Sequence, residues 1–357
     1  MDGLKSYNIA VTGLNAGENP GPGIPVARCL KEHKNWSGKI IGLAYDALEP
    51  GILDKQIIDK AYLIPYSRLG KVPLLERILQ IHKEEKFDLI IPNHDIEVLN
   101  FIQIKQELEK NNIKLFLPSE NEFAKRSKVN LDNFCNELSL KTLKTKIITS
   151  LPEVRLKIEE LPVMVKGAYC EAYLASSFDE IVYYVNKISN RWGFPVLIQE
   201  YKEGDGFNAV CIGDGKGNTL GTVCMKKLVL TEKGKGWICV SIENSKFLEL
   251  AKEIISSLKW TGALEIETIY SKVDNSFYLI EINPRFPSWI YLAKEAGINL
   301  PYIYLQLSLG HQVSPNGHYK NGVVLTNYTT NIVTELTKIQ DLFIHGTINN
   351  NGVTSYE

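Results

Sequence analysis

Two neighbouring apolar runs late in the chain, each carrying acidic side chains at a spacing of two, constrain the fold most. The first is Ala263-Leu264-Glu265-Ile266-Glu267, continuing to Tyr270. The second runs from Ser276 to Ile282 and on to Asn283, and Lys272-Val273-Asp274-Asn275 joins the two. Alternate residues of a strand face the same side. Glu265 and Glu267 therefore share a face of the first run, and Glu281 and Asn283 share a face of the second. Paired as a hairpin, the runs can bring Glu267, Glu281 and Asn283 together. Oxygen donors of this kind suit magnesium, which takes one or two carboxylates and completes its shell with water and phosphate oxygens. Glu281 is flanked by Leu279, Ile280 and Ile282, so burying its carboxylate requires a cation partner. Arg285 follows, and a guanidinium clamps phosphate or carboxylate through two parallel hydrogen bonds. Solvated strand faces and a surface arginine are the plainer reading of the same pattern.

The first third of the chain alternates strand-like and helix-like segments. Tyr7–Thr12, Lys39–Ala44, Asp88–Pro92 and Lys114–Leu117 read as strands, while Val26–His33 and Pro73–Lys86 read as helices. Such alternation predicts a parallel sheet with helices on both faces. Helical spacing continues over 121–138, a stretch carrying Lys125, Arg126 and Lys128. Beyond Val163 the character changes to strands at Pro162–Val165, Val196–Tyr201, Phe207–Ile212 and Thr219–Lys226. Gly213-Asp214-Gly215-Lys216-Gly217-Asn218 gives a hairpin signal between the last two. Helices are expected over 177–188 and 246–258.

At 357 residues the chain can bury a core large enough for two or three lobes. The 40 Lys and Arg residues against 41 Asp and Glu leave a net charge of -1, so no global basic field exists to hold nucleic acid or a membrane surface. The six cysteines form no CxxC pair, which argues against zinc and disulfide frameworks and for thiols in a reducing compartment. No basic leader and no membrane-length apolar run is evident, and a cytoplasmic location is expected. The phosphate loop GxxxxGK[ST] is absent, so any nucleotide is gripped by other means.

Leu279-Ile280-Glu281-Ile282-Asn283-Pro284-Arg285 resembles the metal-binding strand of the ATP-grasp superfamily, in particular the synthetase halves of carbamoyl phosphate synthetase and biotin carboxylase. Gly262-Ala263-Leu264-Glu265-Ile266-Glu267 fits the same family. The resemblance covers roughly residues 5–310 and implies an α/β and α+β architecture. A Rossmann-like pre-ATP-grasp parallel sheet (1–118) would precede a two-lobed ATP-grasp domain with antiparallel sheets (119–315, its small lobe about 150–226), and 316–357 would form a C-terminal extension.

The resemblance also implies ATP and Mg2+ as cofactors, with Mn2+ as a substitute, and metal ligands at Glu267, Glu281 and Asn283. Nucleotide contacts fall on Lys128, with Lys125 and Arg126 as competitors, and on Lys166 at the end of Val163-Met164-Val165-Lys166. The adenine hinge maps to Gln199, Glu200 and Tyr201. The ribose position of the family is filled here by Gly206, with Asp205 or Glu203 as substitutes. Lys227 matches a basic position near the γ-phosphate, and Arg285 would hold the acyl group. The flap after Lys166, Gly167-Ala168-Tyr169-Cys170-Glu171-Ala172-Tyr173, has one glycine where the family is glycine-rich. Glu232-Lys233-Gly234-Lys235-Gly236 resembles the mobile loop that follows.

In the N-terminal part, Asn15–Pro25 is a Gly/Pro-rich loop opening a helix, a weak anion signal at the helix N-terminus. Pro92-Asn93-His94-Asp95-Ile96-Glu97 follows a strand where ligands gather in open α/β sheets. Its His94, Asp95 and Glu97 can bind an amine, or Asp95 can cap the next helix.

The expected activity is an ADP-forming carboxylate–amine ligase. Its partners would be small-molecule acids and amines, with no nucleic acid and no membrane, and a homodimer stays open. The alternatives are a bicarbonate-using carbamoyl-phosphate or carboxylase-type synthetase and a non-catalytic ATP-binding regulator. Trp237, Trp289 and Tyr291 are candidates for lining an acceptor pocket.

Overall fold

The structure, a computed structural model of the chain, describes residues 6–16, 20–168, 171–231, 234–315 and 317–350. Part of the Gly/Pro-rich segment, residues 169–170 of the segment after Lys166 and part of the 232–236 segment therefore lie outside the described residues.

The short apolar runs at the start form β1 (Ile9–Val11), β2 (Ile40–Ala44), β3 (Lys60–Leu63) and β4 (Leu89–Ile91). All residues of β1, β2 and β4 are buried, as strands covered on both faces must be. β1 runs parallel to both β2 and β4, and β2 runs parallel to β3. The expected parallel sheet is present. The run Lys114–Leu117 adds only an isolated bridge between Lys114 and Leu89, not a full strand.

Next come β5 (Thr145–Ile148), β6 (Val163–Gly167), β7 (Ala172–Ala175) and β8 (Val196–Glu200), an antiparallel sheet in the order β5-β8-β6-β7. The helix Phe178–Trp192 packs Ile181, Val185 and Ile188 against this sheet, closing a small core with Val163, Val165, Val196 and Ile198. Ser177 caps that helix, accepting from the Glu180 N–H.

The long strands β9 (Asp205–Asp214), β10 (Thr219–Leu230), β11 (Gly236–Ile242), β12 (Thr261–Ser271), β13 (Ser276–Asn283) and β14 (Val324–Thr326) form a sheet in the order β13-β12-β9-β10-β11-β14. β15 (Thr347–Asn349) returns to the first sheet, antiparallel to β3.

The chain divides into two compact units. One comprises Met1–Glu120, Ala209–Glu265 and Pro284–Glu357; the other comprises Asn121–Asn208 and Ile266–Asn283. Each has its own apolar core. The larger core draws on Ile9, Val11, Val210, Val223, Phe286, Ile290 and Leu300.

Candidate active site

In the smaller unit, the acidic strand pair meets its cation. Lys128 Nζ lies 3.1 Å from Glu281 Oε1, and the two side chains are only 14% and 22% exposed. Lys128 reaches this position because the helical stretch breaks. Helices span Glu120–Lys125 and Leu131–Glu137, and turns at Ser127 and Asn130 carry Lys128 between them. Of the three basic residues in that stretch, Arg126 stacks over Phe123 at 4.1 Å and donates to the Ile282 carbonyl at 3.4 Å. Lys125 ends the first helix.

Asn283 is 1% exposed and donates its side-chain amide to Glu267 Oε1 at 3.1 Å. With the amide nitrogen committed to Glu267, the oxygen is the end that can ligate a cation. Among the described residues no group of three or more His, Cys, Asp or Glu is arranged to hold a metal. The expected ligands Glu267, Glu281 and Asn283 offer two carboxylates and one amide, all hard oxygen donors. Such a set fits magnesium, which draws its remaining ligands from phosphate and water.

Lys166 sits on β6 and donates to Gln199 Oε1 at 2.7 Å, and Gln199 in turn donates to Thr145 at 3.0 Å. β6 and β8 are neighbours, with Met164 opposite Gln199, so this link follows from the sheet register. Gln199 is 4% exposed, whereas Glu200 and Tyr201 are exposed at the strand end. The Glu200 N–H is taken by the Lys144 carbonyl. Asp205 opens β9 and pairs with Lys272 at 3.2 Å.

In the larger unit, Arg285 is oriented by two acids. Its Nη1 donates to Glu265 at 3.0 Å and its Nε lies 3.3 Å from Asp95. Glu265 is 3% exposed and also accepts from the Trp289 indole at 2.7 Å. Trp289 is therefore a buried brace for Glu265. Tyr291 donates to Glu32. Lys227 stands opposite Cys239 in the β10–β11 pair, beside a bulge before Val229.

The motif around His94 resolves into two roles. His94 is the helix N-cap and Asp95 the first helical residue. Glu97 is fully buried and accepts from the Thr12 and Tyr45 hydroxyls and from the Asn93 and His94 amides. It ties the ends of β1, β2 and β4 together and is saturated by those donors. Burial, and then the charge of Glu97, hold the Tyr45 phenol far above its ordinary range, so it stays a donor.

Burial pushes the Cys135 and Cys211 thiols up to about 12 and Cys239 up to about 11. Buried, protonated thiols are inert, which excludes them as nucleophiles.

Residues 194–331 match the family described as "ATP-grasp in the biosynthetic pathway with Ter operon". The fold is shared with biotin carboxylase from Campylobacter jejuni in its β-γ-ATP complex, at a TM-score of 0.66 and 18% identity over 86% of this chain and 72% of that one. It is shared also with the L-amino acid ligase of Bacillus licheniformis, at a TM-score of 0.62 and 16% identity over 85% and 74% of the two chains. The chain has the ATP-grasp fold. An uncharacterized protein of Methanocaldococcus jannaschii is 27% identical over 178 residues, which is 49% of this chain and 43% of that protein.

Within this fold the structure joins Lys128 to Glu281, Glu267 to Asn283, and Lys166 to Gln199. The Glu265–Arg285–Trp289 arrangement was legible only as a carboxylate of unassigned role. Its signal was an acid on the same strand face as Glu267, inside an apolar run.

Proposed function

We propose that the chain is an ADP-forming carboxylate–amine ligase, a cytoplasmic enzyme that activates a small-molecule acid as an acyl phosphate and passes the acyl group to an amine. The single observation that carries this reading is the strand pair in which Glu281 is held by Lys128 and Glu267 by Asn283. Glu267, Glu281 and Asn283 would hold Mg2+, which when bound neutralises charge on the phosphate oxygens of ATP. Lys166 carries a point charge from the end of β6 toward the nucleotide phosphates, and Gln199 fixes its direction. Lys128 does the same beside Glu281. Gln199, Glu200, Tyr201 and Asp205 are the proposed contacts for adenine and ribose.

Arg285, set in direction by Glu265 and Asp95, would hold the substrate carboxylate and then the charge that develops on it. Lys227 would serve the γ-phosphate. Positioning and charge neutralisation supply most of the acceleration in transfers of this kind. The lobes proposed with this reading are 1–118, 119–315 and 316–357.

A screen of acids and amines with ATP and Mg2+, read as ADP release, tests the proposal. ADP that requires both an acid and an amine is the expected result. ADP formed with bicarbonate alone favours the carboxylase-type reaction. Tight ATP binding with no ADP across all acids identifies a regulator.

A further inference from the structure

Glu171, the residue before β7, and Tyr173 on β7 are fastened to one helix by their side chains. Glu171 has a left-handed backbone, φ +70°. That conformation costs energy for any residue with a side chain and is cheapest for glycine. A glutamate there therefore needs a reason in its side chain.

Its carboxylate accepts from the Arg191 guanidinium at 2.6 Å, the Trp192 indole at 3.2 Å and the Tyr173 hydroxyl at 3.1 Å. Burial by itself would raise the acid, but these bonds outweigh it and hold the group below its ordinary range, so it stays ionised. An exposed ion pair alone contributes little, and Arg191 is 69% exposed. Here, however, donors from two elements converge on one carboxylate. The Tyr173 ring stacks on Tyr184 at 4.6 Å and 2°, with the Lys187 ammonium 4.5 Å over its face. Arg191, Trp192, Tyr184 and Lys187 all belong to the helix Phe178–Trp192. The Gly167 N–H donates to the Glu171 carbonyl at 3.1 Å, which passes the restraint back to the residue after Lys166.

We propose that Glu171 is a positioning residue for nucleotide phosphates: its carboxylate anchors the start of β7 to the helix Phe178–Trp192 and its carbonyl, bonded to the Gly167 N–H, ties the end of the strand bearing Lys166 to that anchor. This rests on the nucleotide reading of Lys166. It gives the glycine-poor flap a physical role. Glu171 is held in place by side-chain anchoring, where a glycine in a flap has backbone freedom.

The test uses the full chain. MgATP and adenosine affinities are measured by calorimetry, and exchange of the Gly167 amide by NMR, for the wild type, Glu171→Ala, Glu171→Gln and Arg191→Ala. The expected result is a loss of about tenfold in MgATP affinity for Glu171→Ala with adenosine changed by less than about twofold. Faster Gly167 exchange should accompany it. Glu171→Gln, which keeps an acceptor, and Arg191→Ala should fall between. Unchanged MgATP affinity in Glu171→Ala, an equal loss for adenosine, or unchanged Gly167 exchange overturns the proposal. A wild-type chain that binds no nucleotide contradicts the function reading and the phosphate role with it. Slow wild-type Gly167 exchange in that case would show that the anchoring itself stands.

Discussion

Glu265 shows what one buried acid can carry. At 3% exposure it accepts from both Arg285 and Trp289. Removing it leaves a partly buried guanidinium and a buried indole N–H without that acceptor. Glu265→Ala should therefore cost about 2–4 kcal/mol in urea unfolding, and Glu265→Gln less because it keeps an oxygen. An unchanged midpoint for Glu265→Ala would show that Asp95 suffices to hold Arg285. The sequence placed Glu265 and Glu267 on one strand face and gave a role, as a metal ligand, to Glu267 alone, since the indole that Glu265 accepts from stands 24 residues on. Lys128 was the chosen lysine, with Lys125 and Arg126 as competitors, and the structure pairs it with Glu281 from the break between two short helices.

A second acid sets a pH limit. Burial would raise Glu32, but hydrogen bonds from Lys294, Arg28 and Tyr291 hold it at about 2. Its folded value lies below its unfolded value of about 4.3, so its contribution is complete above that pH and is lost as pH falls toward 2. Glu32→Gln should flatten the decline of the thermal midpoint between about pH 4.5 and 2. A parallel decline in wild type and variant would contradict this.

At the level of elements, period and composition made β12 and β13 readable, because each keeps apolar residues alternating around its acids. The helix 246–258 was readable for the same reason, and the structure has it at Ser245–Leu258 with Phe247, Ala251, Ile254, Ile255 and Leu258 buried. β15 was not readable: Thr347–Asn349 is short and polar, and only pairing with β3 makes it a strand. Lys114–Leu117 had a strand's composition but pairs through a single bridge, and the Phe116 carbonyl faces Gly262 instead. Gly262, at φ +94°, leaves room for that carbonyl; an added Cβ would stand 2.2 Å from it. Gly262→Ala should therefore destabilise the start of β12 by about 2–4 kcal/mol, from backbone strain and the clash together. A loss below about 0.5 kcal/mol in chemical unfolding would show that the strand end relaxes freely.

Across the whole molecule, sequence order and spatial grouping part company. Residues 284–357 belong with the N-terminal sheet, and 266–283 with the small unit around Lys166. Long-range pairing of this kind leaves no local signal, which is why the alternation of strands and helices was legible while the grouping of segments was not. Among the described residues no helix is long and apolar enough to cross a membrane.

The most direct test is the magnesium dependence of ATP binding, read by calorimetry on the wild type and on Glu281→Gln with the fold checked by circular dichroism. Wild-type affinity should drop at least about tenfold when Mg2+ is removed, and Glu281→Gln should show a similarly weakened affinity even with Mg2+ present. Equal affinity with and without Mg2+, or a Glu281→Gln variant that binds MgATP as the wild type does, would contradict the assignment of Glu267, Glu281 and Asn283 to the metal.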